Sequence, residues 1–256
     1  MDHTCSNCSN TFDGKYCNSC GQSVNVPRFT LNHIFEEAFH AFTHADKSFI
    51  GFVKDLILNP GKLSWEYIAE RKRKKYFNPF TFFILINAIN AFVEGGDLNL
   101  KENLFHFNNE YGHIFNVYSK VLSLVIIPVF AFIIWLIHLK KPRLLFSEYT
   151  VFAMIIVSLY SVVETFVHVI NYLGTSLRHS SVSVEDNILY PILFAIYVAY
   201  ANYSFHKKMN KNSWPKSILA GIFFFAVQFA VQLFVIWSIR GFNGLGHFGI
   251  FGIQIS

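Results

Sequence analysis

The sequence predicts an all-α polytopic membrane protein of about five transmembrane helices, with a small N-terminal four-cysteine zinc ribbon and amphipathic juxtamembrane helices. Three observations predict it. Of the 256 residues 53% are hydrophobic and only 14% are charged, whereas soluble domains carry about 25% charged residues. The uncharged stretches reach roughly the 20 residues that a helix needs to cross a bilayer core. All four cysteines fall in one short run, "CSNCSNTFDGKYCNSCGQ", with the spacing C-x2-C-x8-C-x2-C.

The spans expected from hydropathy are 77–93, 117–139, 147–173, 188–205 and 215–239. Pro79, Pro191 and Pro215 fall in first turns, where a missing N–H costs little. Pro128 falls mid-span and is expected to kink its helix. Twelve of the 21 basic residues sit in "RKRKK", "KKPR" and "KKMNKNSWPK", each beside an apolar span. That placement reads as topological anchoring in cytoplasmic loops, so the net charge of +5 does not call for nucleic acid as a partner. Loop 94–116 holds four acids and one lysine, and loop 174–187 is also poor in basic residues. Both are therefore expected outside, with the N-terminus in the cytoplasm and the C-terminus external. The first 20 residues are polar and show no apolar signal-peptide core. The glycine-rich tail "RGFNGLGHFGIFGIQIS" is left open between a re-entrant or interfacial segment and an external disordered tail, the first being preferred because its bulky apolar residues would seek cover.

Three stretches of the chain are expected: 1–27 the ribbon, 28–75 the amphipathic juxtamembrane helices, and 76–256 the membrane bundle. In the first, Cys5, Cys8, Cys17 and Cys20 can turn four thiolates onto one ion, the usual closed structural zinc site. Gly14 and Gly21 suit the positive φ of its tight turns. Iron in the same ligand set, paired disulfides and a redox dithiol are the alternatives. A cytoplasmic setting disfavours disulfides, and neither CxxC opens a helix as thioredoxin-type motifs do. One structural zinc is the expected cofactor, with no open position for catalysis.

Within 28–75, a first helix from Thr30 to Ala45 places His33, Glu37, His40 and His44 on one narrow stripe. A second metal site or a pH sensor is one reading of that stripe, and a solvated polar face is the preferred one. A second helix runs from Asp46 to Asn59, with Phe49, Phe52, Val53, Leu56 and Ile57 available to pack. A third starts at Ser64 and carries Trp65, Tyr67 and Ile68 into the basic run, where the headgroup layer is expected. Glu70 has an i+4 partner in Lys74.

The ribbon ending "GKYCNSCGQ", the step Pro60–Gly61, "EYI" at 66–68, the basic run and Pro79 together resemble a family of uncharacterised bacterial inner-membrane proteins, a domain of unknown function. The resemblance covers residues 1–95 by motif and the rest by architecture. It implies a cytoplasmic ribbon followed by a helical bundle in the bacterial inner membrane, and it brings no activity or catalytic residue. Glu70 departs from the glycine common at that point of the family.

Inside the bundle an ionisable residue is a functional candidate by default. Glu164 lies near the middle of the third span, with His168 one turn later, Tyr160 one turn earlier and Asn171 nearby. They can form a proton relay, an ion site or the wall of a cavity, or else a hydrogen-bonded cluster that fixes packing. Asn87, Asn90, Gln228 and Gln232 are the expected partners. No phosphate loop, HExxH or G-x-S-x-G motif is present, and the sequence leans away from an enzyme. The functional expectation is a membrane-anchored interaction or sensor module, with the bilayer and a cytoplasmic protein as partners and a homo-oligomer left open. The alternative is a small-solute or ion transporter, or a subunit of one, that uses the groups around Glu164 and His168.

Overall fold

A computed structural model describes residues 3–26, 28, 49–105, 110–138, 144–178, 189–208, 214–243, 248–250 and 253–255. The helix expected over 30–45, and with it His33, Glu37, His40, His44 and the Asp46 cap, lies outside the described residues. The chain opens with a two-stranded antiparallel sheet, β1 (His3–Thr4) against β2 (Thr11–Phe12). Among the described residues seven helices follow: α1 Phe49–Leu58, α2 Pro60–Ile68, α3 Pro79–Phe105, α4 Glu110–Ile137, α5 Phe146–Arg178, α6 Leu189–Lys207 and α7 Trp214–Asn243. In the C-terminal tail, β3 (Phe248–Ile250) pairs antiparallel with β4 (Ile253–Ile255).

Helix starts follow the local chemistry. Asn78 caps α3, its Oδ1 accepting from the backbone N–H of Phe80 at 2.9 Å, with Pro79 in the position that needs no donor. Pro60 plays the same part in α2, after Asn59 ends α1. This places the start of α2 four residues before the expected Ser64. Ser64 is instead buried in mid-helix, and its hydroxyl donates to Pro60 O at 2.7 Å. Pro128 lies inside α4, which continues through it.

Four helical stretches are long and apolar enough to cross a membrane among the described residues: Pro79–Leu104, Asn116–Ile137, Phe146–Leu177 and Trp214–Val235. The sequence leads one to expect five spans; α6 occupies the place of the remaining one, with 19 residues. Their outward faces carry apolar side chains that a water-soluble fold would hide. On α4, Val121, Val125, Val129, Phe132 and Leu136 are exposed, and on α7 Ile218, Ile222, Phe234 and Trp237. The chain is a membrane protein by this composition and surface.

Helix α5 is central. Its apolar window is 72% buried, against 22–39% for the other three, and α3, α4, α2 and α1 all pack on it. Two glycines allow the closest crossings. A Cβ on Gly61 would come within 2.5 Å of Ser204 Cβ, so α2 sits hard against α6. Gly221 lets α7 approach the Ala195 carbonyl of α6 in the same way.

The two described juxtamembrane helices, α1 and α2, pack against the bundle. Tyr67 and Ile68 are buried, and the ring of Phe52 meets that of Phe82 of α3 at a tilt, with centroids 4.7 Å apart. Tyr197 of α6 donates its hydroxyl hydrogen to the Ile57 carbonyl. The segment read as an acidic loop over 94–116 is mostly helix. Helix α3 runs on to Phe105, and α4 begins at Glu110.

Candidate functional site

The four cysteines form two matching knuckles. In the first, the N–H of Ser9 donates to Cys5 O at 2.9 Å and that of Cys5 to Asn10 O at 2.9 Å. In the second, Gly21 donates to Cys17 O and Cys17 to Gln22 O, each at 2.8 Å. The residue that closes each turn has positive φ, 72° at Gly21 and 61° at Ser9, and Gly14 reaches 117° between them. The expected glycine geometry is present, and Ser9 performs the same turn without a glycine.

This folding brings all four Sγ atoms within 4.8 Å of one another. Cys5 and Cys20 sulfurs lie 3.5 Å apart, and those of Cys8 and Cys17 3.6 Å. A disulfide would need about 2.05 Å, and none of the four cysteines is in one. Four sulfurs at about 2.3 Å around one tetrahedral ion would be roughly 3.8 Å apart, so the ligand set fits a metal. The acid–base chemistry agrees. Burial opposes the Cys17 thiolate, but backbone N–H groups of Cys20 and Ser19 and the thiols of Cys8 and Cys20 outweigh it and bring it down to about 6. At Cys8 the backbone N–H of Asn10 favours the thiolate, yet burial and the neighbouring thiols push it up to about 11. Without a cation the thiolate is thus favoured at Cys17 and opposed at Cys8.

The head is bonded to the helical part. Gln22, 3% exposed, donates from Nε2 to Ser6 Oγ at 2.6 Å and to Arg71 O at 3.1 Å. Arg71 returns a bond from Nη1 to Val26 O at 2.7 Å. Further on, Arg28 forks onto Glu148 at the start of α5, Nε to Oε1 at 2.8 Å and Nη2 to Oε2 at 2.6 Å. Glu148 also accepts from the N–H of Leu145 at 2.7 Å, which caps α5. Part of the basic run is thus committed internally. Lys75 pairs with Glu66 at 2.5 Å and Lys72 with Glu70 at 2.6 Å. Because α2 stops at Ile68, Glu70 meets Lys72 rather than Lys74 at the helical offset, and it also accepts from Trp65 Nε1.

The second site lies between α3, α4 and α5. Lys120 of α4 places its Nζ 3.0 Å from Glu94 Oε2 and 3.1 Å from Glu164 Oε2. His168 Nε2 is 3.6 Å from Glu94 Oε2, and Lys101 pairs with Asp97 at 2.8 Å. Beside them is a cavity of about 50 Å³ lined in part by Ser119, Ser123, Tyr160, Gln228 and Gln232. A water needs about 10–15 Å³ by this measure, so a few waters fit and a larger solute does not.

Of the sequence candidates, Glu164 and His168 join this cluster directly and Tyr160 lines its cavity. Asn171 is fully buried on α5. Asn87 and Asn90 join α3 to α5 in another way. Ser161 Oγ donates to Asn87 Oδ1 at 3.2 Å, and Asn90 Nδ2 to Thr165 Oγ1 at 3.1 Å. Sequence reasoning missed Glu94, Asp97, Lys101 and Lys120. The first three follow helical spacing into the supposed loop, and Lys120 is an ionisable residue inside a span, the same signal that singled out Glu164. It also missed His138 and His206, which stack with centroids 3.7 Å apart at the ends of α4 and α6, beside Tyr149.

Residues 46–90 match the family model DUF3667, described as a protein of unknown function. That stretch holds α1, α2, the basic run and the first part of α3, so the similarity falls on the docking platform of the head. No curated protein matches the chain, and no solved structure does.

Proposed function

We propose that this chain is a membrane-anchored interaction or sensor module of the bacterial inner membrane, whose N-terminal ribbon, residues 1–27, holds one structural zinc and meets a cytoplasmic protein. The observation that carries this reading is the bonded path from the ribbon to the bundle, Gln22 to Arg71, Arg71 to Val26 and Arg28 to Glu148. A head fixed to the helices in this way can report its occupancy to them. Residues 28–75 form the platform and 76–256 the anchor, with α6 as a fifth crossing, the N-terminus inside and the C-terminus outside. Four thiolates close the metal's coordination sphere, so its role is to fold a segment too short to build its own core.

Tyr16, 67% exposed on the head, is the place to test it. A photo-crosslinking residue at position 16 should trap one defined partner in cells, lose it in the Cys17→Ser background and keep it with Glu164→Gln. The same adducts with and without Cys17 would refute the reading.

A second reading has its own observation. The cavity touching Glu94, Lys120 and Glu164 favours passage of protons or small ions, and its volume argues against an organic solute. Ion flux in proteoliposomes that Glu164→Ala and His168→Ala leave unchanged would remove it.

A further inference from the structure

His168 is 4% exposed, and a carboxylate stands at each of its ring nitrogens. Glu94 Oε2 is 3.6 Å from Nε2, and Asp97 Oδ2 is 4.0 Å from Nδ1. A neutral imidazole has one N–H and one lone pair. Whichever nitrogen held the lone pair would turn it toward an anionic oxygen in a site with little water to screen the repulsion. An imidazolium presents an N–H to both sides.

The surrounding charges lead to the same count. Helix α3 supplies Glu94, Asp97 and Lys101, α4 supplies Lys120, and α5 supplies Glu164. Helix α7 brings the neutral Gln228 and Gln232 to the cavity wall. His113 and Glu102, 3.3 Å apart, form a separate and more exposed pair. Among the described residues, three carboxylates against two ammonium groups leave one negative charge before the ring is counted. An uncompensated charge is costly inside a bilayer, and one proton on His168 cancels it.

We propose that this cluster is a binding site for a single exchangeable proton, carried by His168 between Glu94 and Asp97. On release the Nε2–H bond breaks, and the proton passes to the Glu94 carboxylate, which lines the adjoining cavity. The electron pair stays on nitrogen and leaves a neutral ring. The site belongs to the region invoked by the second reading above, but it does not require that anything cross the membrane.

The test uses the full chain in lipid nanodiscs with ¹⁵N-labelled histidine, the His168 signal being assigned by its disappearance in His168→Gln. At pH 7 both ring nitrogens should show the protonated imidazolium signature. Glu94→Gln and, separately, Asp97→Asn each remove one negative charge, and in either variant the imidazolium signature should be lost in favour of a neutral tautomer. Retained near-native thermal unfolding of at least one of the two would show that the loss is not misfolding. A neutral His168 in the wild-type protein at pH 7, or a charged ring that persists in both variants, would overturn the proposal. Proton flux in proteoliposomes bears on the second reading alone, so the two can fail separately.

Discussion

Lys120 is the residue whose removal should cost the bundle most. Its ammonium is shared by Glu94 and Glu164 at 3.0 and 3.1 Å, with the lysine side chain 13% exposed and the carboxylates 11% and 20%. Lys120→Met keeps the length and apolar stem of the side chain but leaves two carboxylates facing one another without the ammonium they share. Removing one partner of a buried ion pair costs about 3–5 kcal/mol. For chains of this size each kcal/mol moves the unfolding midpoint by about 2–4 °C, so the midpoint should fall by roughly 6–20 °C. The decisive comparison adds Glu94→Gln and Glu164→Gln to Lys120→Met. Replacing a whole buried ionic set by neutral groups is often close to neutral, so the triple variant should recover most of the loss. Thermal unfolding in nanodiscs, followed by tryptophan fluorescence, measures all of these forms. A loss below about 1 kcal/mol for Lys120→Met would refute the reasoning, as would costs that simply add across the three positions.

Two other perturbations test the platform beneath the head. Gly61→Ala places a methyl group against Ser204 and the Phe205 backbone of α6, and overpacking of that kind costs about 1–3 kcal/mol; an unchanged unfolding midpoint would mean that α2 and α6 are not in contact. Glu66 is buried, which opposes its charge, yet bonds from Lys75 and from the Tyr76 hydroxyl outweigh this and hold its carboxyl below the usual range. Its contribution to stability is therefore fully present above the unfolded-state value near 4.3 and is lost as pH falls through the lower folded value. Glu66→Gln should accordingly destabilise the protein by about 1.5–3 kcal/mol at pH 7, and the gap to wild type should close as unfolding is followed below about pH 4.

The parts of this architecture that local rules govern were legible in the sequence. Cysteine spacing gave the ligand set, Gly14 and Gly21 gave two of its left-handed turns, and Pro79 and the apolar runs gave the helices. Glu164 and His168 stood out because charge is rare inside a span. What stayed hidden depended on partners distant in sequence. Glu94 read as part of a water-facing loop, since nothing local announces that Lys120 of another helix will neutralise it. Ser9 reads as an ordinary linker residue, and only the knuckle forces it to positive φ. Tyr67 and Ile68 look like interfacial anchors until Gly61 lets α2 close onto α6, which turns the same residues into core. The docking of the head could not be foreseen either, because Gln22, Arg28 and Glu148 carry no motif and meet only in three dimensions.

The central claim is that the N-terminal run is a metal-holding head rather than a set of idle thiols. Elemental analysis of the purified full-length protein tests it most directly. One zinc per chain is expected, lost in Cys5→Ser or Cys17→Ser while the bundle stays folded. Less than about half an equivalent of any metal in wild-type protein prepared with zinc present would contradict it.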